Sequence, residues 1–138
     1  MSSRGSAARA RGTPGRAILV VEDDPELRTL VAELLSERGY AVVVACDGQD
    51  AVELLEGGLR PCLIVLDLTM PRMDGWAFLA HLRGNARSAV PVLVTSAVGR
   101  ENAPAGADAF LEKPYEAAQL RAAVARLSSP YGVVLERP

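Results

Sequence analysis

Five short apolar runs recur along the chain. They are AILVVE at 17–22, YAVVVAC at 40–46, CLIVLD at 62–67, PVLVTS at 91–96 and ADAFLE at 107–112. Rich in Ile, Leu and Val and without polar alternation through most of their length, they predict strands of a parallel sheet covered on both faces. Between most of them the apolar period lengthens. After Asp24-Pro25, the residues Leu27, Leu30, Val31, Leu34 and Leu35 recur at steps of three and four and predict one inward helical face. Asp24 suits the N-cap, Pro25 the first helical position, and Gly39 the stop. A second helix is expected from about Gln49 to Leu55, before Gly57-Gly58. A third should start near Asp74-Gly75 and carry Trp76, Leu79, Ala80 and Leu82 to Gly84, and a last should run from about Glu116 to Leu127 with Leu120, Ala123, Val124 and Leu127 facing inward. Strands alternating with helices through short connections imply βαβ units and an α/β fold.

One stretch breaks this alternation. Residues 97–106, AVGRENAPAG, are all that is available between the fourth and fifth strands, and they include Gly99, Pro104 and Gly106. A proline inside a helix costs roughly 3 kcal/mol and each glycine up to about 1 kcal/mol relative to alanine. At most one helical turn is expected there.

At 138 residues the chain has room for one domain with its own core. The expected division is an Arg-rich, solvated leader at 1–15, the folded domain at 16–128, and a trailing tail at 129–138. No apolar run approaches the ~18 residues of a membrane span, and the first residues lack the apolar stretch of a secretory signal, so a cytoplasmic protein is expected. Charge sharpens the picture. Residues 1–16 hold four arginines and no acid, so the rest carries 11 basic against 17 acidic side chains, a net of −6. An acidic body argues against nucleic acid as the main ligand, because binding a phosphate backbone needs a concentrated positive surface. Cys46 and Cys62 lie in or beside apolar strands and read as buried thiols, neither a disulfide nor a metal site.

The acidic residues collect in one place. In an open parallel sheet ligands bind beyond the carboxyl ends of the strands. The first strand ends in Glu22-Asp23, the third in Asp67, the fourth in Ser96, and the fifth leads into Lys113. Converging carboxylates repel one another, and a hard divalent cation turns that repulsion into coordination. Mg²⁺ suits the set, since it takes one or two carboxylates and leaves positions for phosphate oxygens. Lys113 is the only lysine beside 14 arginines, and a compact ammonium on a flexible stem is the better point charge for a tight anionic pocket.

On ILVVEDDPELR, LIVLDLTMPRMDGW, PVLVTSA and GADAFLEKP, in this order over roughly residues 16–128, the chain resembles the receiver domain of two-component response regulators, in particular the single-domain, chemotaxis-regulator-like kind. The resemblance implies a flavodoxin-like, doubly wound, five-stranded parallel sheet of order 2-1-3-4-5 with helices on both faces, the fourth helix being shortened or missing here. It makes Asp67 the phosphoacceptor, and it gives Mg²⁺ to Glu22, Asp23, Asp67 and the Thr69 backbone carbonyl. Ser96 and the Ala97 backbone N–H would contact the phosphoryl group, Lys113 would pair with it, and Ser96 and Phe110 would form a conformational switch. It also implies a cis bond at Lys113-Pro114, which proline makes affordable.

The implied function is that of a stand-alone receiver that takes a phosphoryl group from a sensor histidine kinase, modifying itself and slowly shedding the group rather than turning over substrate. Downstream, a protein target or phosphotransfer protein is expected, with neither nucleic acid nor membrane as partner. His81, the only histidine, falls in the third helix and is not the donor. Three other readings compete. A flavodoxin-like cofactor binder would need a first loop that cradles phosphate, and EDDPE repels it. A phosphatase with an aspartyl nucleophile would usually carry a second acid at the position of Thr69. The strongest rival is a pseudo-receiver, a protein interaction module that no longer needs phosphate. The full set of Asp67, Glu22, Asp23, Ser96 and Lys113 speaks against it, and the clipped connection at 97–106 speaks for it.

Overall fold

The computed structural model describes residues 17–84 and 89–128. The proposed leader at 1–15 and tail at 129–138 lie outside the described residues. Five strands form one parallel sheet: β1 (Ala17–Val21), β2 (Ala41–Ala45), β3 (Leu63–Asp67), β4 (Val92–Ser96) and β5 (Ala109–Glu112). Their order is β2-β1-β3-β4-β5, as the resemblance implies. Four helices connect or follow them: α1 (Pro25–Ser36), α2 (Gly48–Glu56), α3 (Gly75–Gly84) and α4 (Ala117–Ser128).

The sheet is buried on both faces because its strands carry apolar residues at successive positions. Ile18, Val20, Val42, Leu63, Val65 and Leu93 pack with Val31 and Leu35 of α1 and Leu120 and Val124 of α4. Leu19, Val21, Val43, Ile64, Leu66, Val92 and Val94 pack with Val52 of α2 and Phe78, Leu79 and Leu82 of α3. At ~25 cal/mol per Å² of apolar surface buried, these two layers are the main stabilising term. Asp24 caps α1 as its sequence suggests, accepting the N–H groups of Glu26 and Leu27 at 3.0 and 3.4 Å with Pro25 following.

Several finer expectations are corrected. Leu30 belongs to the helical period but is 50% exposed, since β1, β2 and α4 cover only the Val31–Leu35 side of α1. In α3 the inward positions are Phe78, Leu79 and Leu82, whereas Trp76 and Ala80 are exposed. Cys46 is exposed beyond the end of β2 and Cys62 is half-buried, both as thiols. His81 lies in α3, as expected, and is exposed.

Between β4 and β5 the chain makes a single 3-10 turn at Arg100–Asn102, in agreement with the composition of that stretch. Arg83, at the end of α3, fastens the short connection. Its guanidinium donates to the carbonyls of Gly106 at 2.8 Å and Val90 at 2.8 Å and to the Asp108 carboxylate at 3.0 Å. Asp108 in turn accepts the Val92 N–H at 2.8 Å, so one arginine ties the starts of β4 and β5 to α3.

Candidate functional site

The loops at the carboxyl ends of β1, β3, β4 and β5 place the polar residues together. Glu22 directly follows β1, and its N–H still bonds the Ala45 carbonyl at 3.0 Å, which fixes its backbone against β2. Its side chain is buried, accepts the Asp24 N–H at 3.1 Å, and shares the site with an exposed Asp23. Asp67 is the last residue of β3 and is 2% exposed. The three carboxylates each offer an oxygen, and these oxygens lie within 4.8 Å of one another.

Lys113 follows β5, and its N–H bonds the Ser96 carbonyl at 2.9 Å. The peptide bond to Pro114 is cis. With β4 lying between β5 and β3, the side chain has to reach past the end of β4 to meet the acids. It does so: Nζ donates to Glu22 Oε1 at 3.0 Å and to Asp67 Oδ1 at 3.2 Å. A long, flexible, single-point cation fits that reach.

Burial raises the Asp67 pKa to about 6, helped by the charge of Glu22 and opposed by Lys113. Burial also works against the Lys113 ammonium, but the bonds and charges of Glu22 and Asp67 outweigh it and hold that group above its ordinary value. One ammonium therefore does not compensate the acids fully. A donor set of three hard oxygen ligands with a residual negative excess fits a divalent cation such as Mg²⁺.

The remaining candidates sit around this centre. Ser96 ends β4, is fully buried, and its Oγ accepts the Val98 N–H at 3.1 Å. Ala97 and Thr69 are exposed in the loops after β4 and β3. Phe110 lies in β5 opposite Val94, two residues before the Ser96–Glu112 pair and so on the same sheet face as Ser96, and it is 8% exposed.

Sequence reasoning missed several supporting groups. Arg28 on α1 donates to the Glu22 carbonyl at 3.0 Å, one helical turn after the cap. Tyr115, two residues after Lys113, has a phenol pushed up by burial and by the nearby acids against the pull of Lys113. Asp47 caps α2 through the Asp50 N–H at 2.8 Å and takes a two-point ion pair from Arg72, whose φ is 63°. That pairing holds the Asp47 carboxyl below its ordinary value. The Asp74-Gly75 pair has a local signal that could have been read in full. Asp74 accepts the Ala77 N–H at 2.9 Å, while the Gly75 N–H bonds the Leu68 carbonyl at 2.7 Å, and any Cβ on Gly75 would collide with the backbone of Asp67 and Leu68. The start of α3 is thereby seated directly on the segment that carries Asp67.

Comparison with known proteins agrees with this geometry. The family model described as the response regulator receiver domain matches residues 18–125. The chain is 47% identical over 83 residues to the Regulator of RpoS of Escherichia coli strain K12, covering 60% of this chain and 24% of that protein. It is 38% identical over 133 residues to the transcriptional regulatory protein TcrA of Mycobacterium tuberculosis, covering 87% and 52%. The chain thus spans about a quarter and about half of these relatives. Among solved structures, the signal receiver domain of a signal transduction histidine kinase from Syntrophus aciditrophicus superposes with a TM-score of 0.78 at 32% identity, covering 88% of this chain and 95% of that one. The response regulator TrrA from Thermotoga maritima, in complex with Mg²⁺-BeF, gives 0.74 at 28% identity, covering 81% and 98%.

Proposed function

Because the chain belongs to the family of response regulator receiver domains, we propose that it accepts a phosphoryl group on Asp67 from a phosphohistidine of a sensor kinase and changes its partner-binding surface in response. The observation that carries this reading is the Lys113 ammonium held between the buried carboxylates of Glu22 and Asp67. A carboxylate that attacks phosphorus approaches oxygens of its own charge, so catalysis is chiefly positioning and charge neutralisation. An Asp67 oxygen attacks in line, the phosphorus–nitrogen bond of the donor breaks, and its electron pair stays on the imidazole. Lys113 already bonds Asp67 and is within reach to pair with the incoming phosphoryl oxygens. With its pKa at about 6, Asp67 is mostly ionised, and so nucleophilic, near neutral pH.

Glu22, Asp23, Asp67 and the Thr69 carbonyl would hold Mg²⁺, which when bound supplies positive charge to the phosphoryl oxygens. The Ser96 hydroxyl accepts one bond from Val98 and keeps its own proton to donate. It and the Ala97 N–H would close on the aspartyl phosphate, and Phe110 would respond as the second part of the switch. Modification then shifts a two-state population. On this reading the phosphoacceptor works in the cytoplasm, and its target is a partner protein or a phosphotransfer protein.

The test is incubation of the chain with Mg²⁺ and acetyl phosphate, followed by intact mass. Wild type should gain one phosphoryl group and Asp67→Ala none. Equal modification of both proteins, or of neither, overturns the assignment.

A further inference from the structure

The turn that stands in place of a helix between β4 and β5 is held at both ends. The Arg100 guanidinium lies over the Phe110 ring, 5.3 Å from its centroid, and its Nη2 donates to the Phe110 carbonyl at 3.4 Å. This is inside the ~6 Å range over which a cation is attracted to an aromatic face. At the other end of the turn, the Trp76 indole N–H at the start of α3 donates to the Asn102 carbonyl at 3.3 Å. The turn is therefore pinned to β5 through Arg100 and to α3 through Asn102.

The same turn is tethered closely to the reactive edge. Only Ala97, Val98 and Gly99 separate Ser96 from Arg100. The Val98 N–H is bonded to Ser96 Oγ, and Gly99 is extended at φ −65° and ψ 162°. Ala97 and Val98 form a bend that the Val98–Ser96 bond closes, so a displacement of Ser96 reaches the turn through a short connection already tied to the Ser96 hydroxyl.

Resting on the receiver reading above, we infer that Arg100 is a positioning residue that carries the state of Asp67 to the molecular surface. Its flat guanidinium lies over Phe110, and it couples the ring and the 3-10 turn so that they move together. A planar cation suits this role because it can stack on the ring and donate to a carbonyl at once. Trp76 registers the movement through its bond to Asn102, and as the only tryptophan it reports without interference.

The experiment uses the full chain with Mg²⁺ and acetyl phosphate, reading modification by intact mass and Trp76 emission in the same samples. In wild type, modification should change the emission. Arg100→Ala should be modified to the same extent yet show an emission change reduced by about threefold or more. Arg100→Lys, which keeps a cation over the ring, should restore part of the change. An Arg100→Ala protein that is modified and responds in full overturns the inference alone, as does a modified wild type with unaltered emission. A wild type that is not modified at all removes the receiver reading and this inference together.

Discussion

Replacing Asp67 with Asn should make the metal-free protein more stable at neutral pH, although it removes the proposed reactive group. The Asp67 pKa stands at about 6 against an ordinary 3.8, because burial and Glu22 disfavour its charge more than Lys113 favours it. At 1.36 kcal/mol per pKa unit, the ionised side chain costs the fold about 3 kcal/mol. It is only 2% exposed, so solvent screens little of this. An amide of the same shape avoids that cost but is a weaker acceptor for Lys113, which puts the expected gain for Asp67→Asn between about 1 and 3 kcal/mol.

The pH dependence gives the sign. A carboxyl group whose folded pKa is raised binds its proton more tightly in the folded state than in the unfolded one. Wild-type stability attributable to Asp67 is then highest below about pH 4, falls as pH rises between about 4 and 6, and levels off above. Urea unfolding of both proteins across that window, with chelator present, cancels every shared titration. The difference should be near zero at the acidic end and reach its plateau above about pH 6.5. Equal stability at neutral pH, or a difference that does not change with pH, would refute the electrostatic reasoning.

Three further outcomes follow from the same contacts. Mg²⁺ should raise wild-type stability by about 2.7 kcal/mol at a hundredfold excess over its dissociation constant, and Asp67→Asn should gain clearly less; thermal unfolding across a Mg²⁺ titration checks this. Lys113→Met leaves two buried carboxylates without their cation and should cost about 3 kcal/mol in chelator, with Mg²⁺ recovering part of the loss, as read by urea midpoints. Arg83→Ala unfastens the β4–β5 connection from α3 and should cost about 2 kcal/mol while leaving phosphoryl uptake at Asp67 intact, as measured by unfolding and intact mass together.

The parts of the molecule legible in the sequence are those governed by local rules. The five strands declare themselves by continuous apolar runs, and α1 by Asp24-Pro25 at its start. Glu22, Asp67, Ser96 and Lys113 could be brought together on paper because each sits at the carboxyl end of a strand, and parallel strands share that end. Even the single turn at 100–102 was written in Gly99, Pro104 and Gly106. What escaped depends on partners far along the chain. Arg83 reaches Asp108, Arg72 reaches Asp47 and Arg100 covers Phe110, and an arginine's sequence neighbours do not say which carbonyl or ring it will meet. Leu30, Trp76 and Cys46 were misjudged for a related reason: period and hydrophobicity mark an apolar residue without showing whether a neighbouring element arrives to cover it.

The solitary lysine has a practical consequence. Reagents that acylate amines meet one side-chain target in this chain, and it stands clasped by two carboxylates at its reactive edge. Its rate of acylation becomes a gauge of that edge. Whatever loosens the clasp, whether protonation of Asp67 or a cation drawing the acids away, frees the amine to lose its proton and react, so a simple labelling time course reads the charge state of the pocket without any engineered probe.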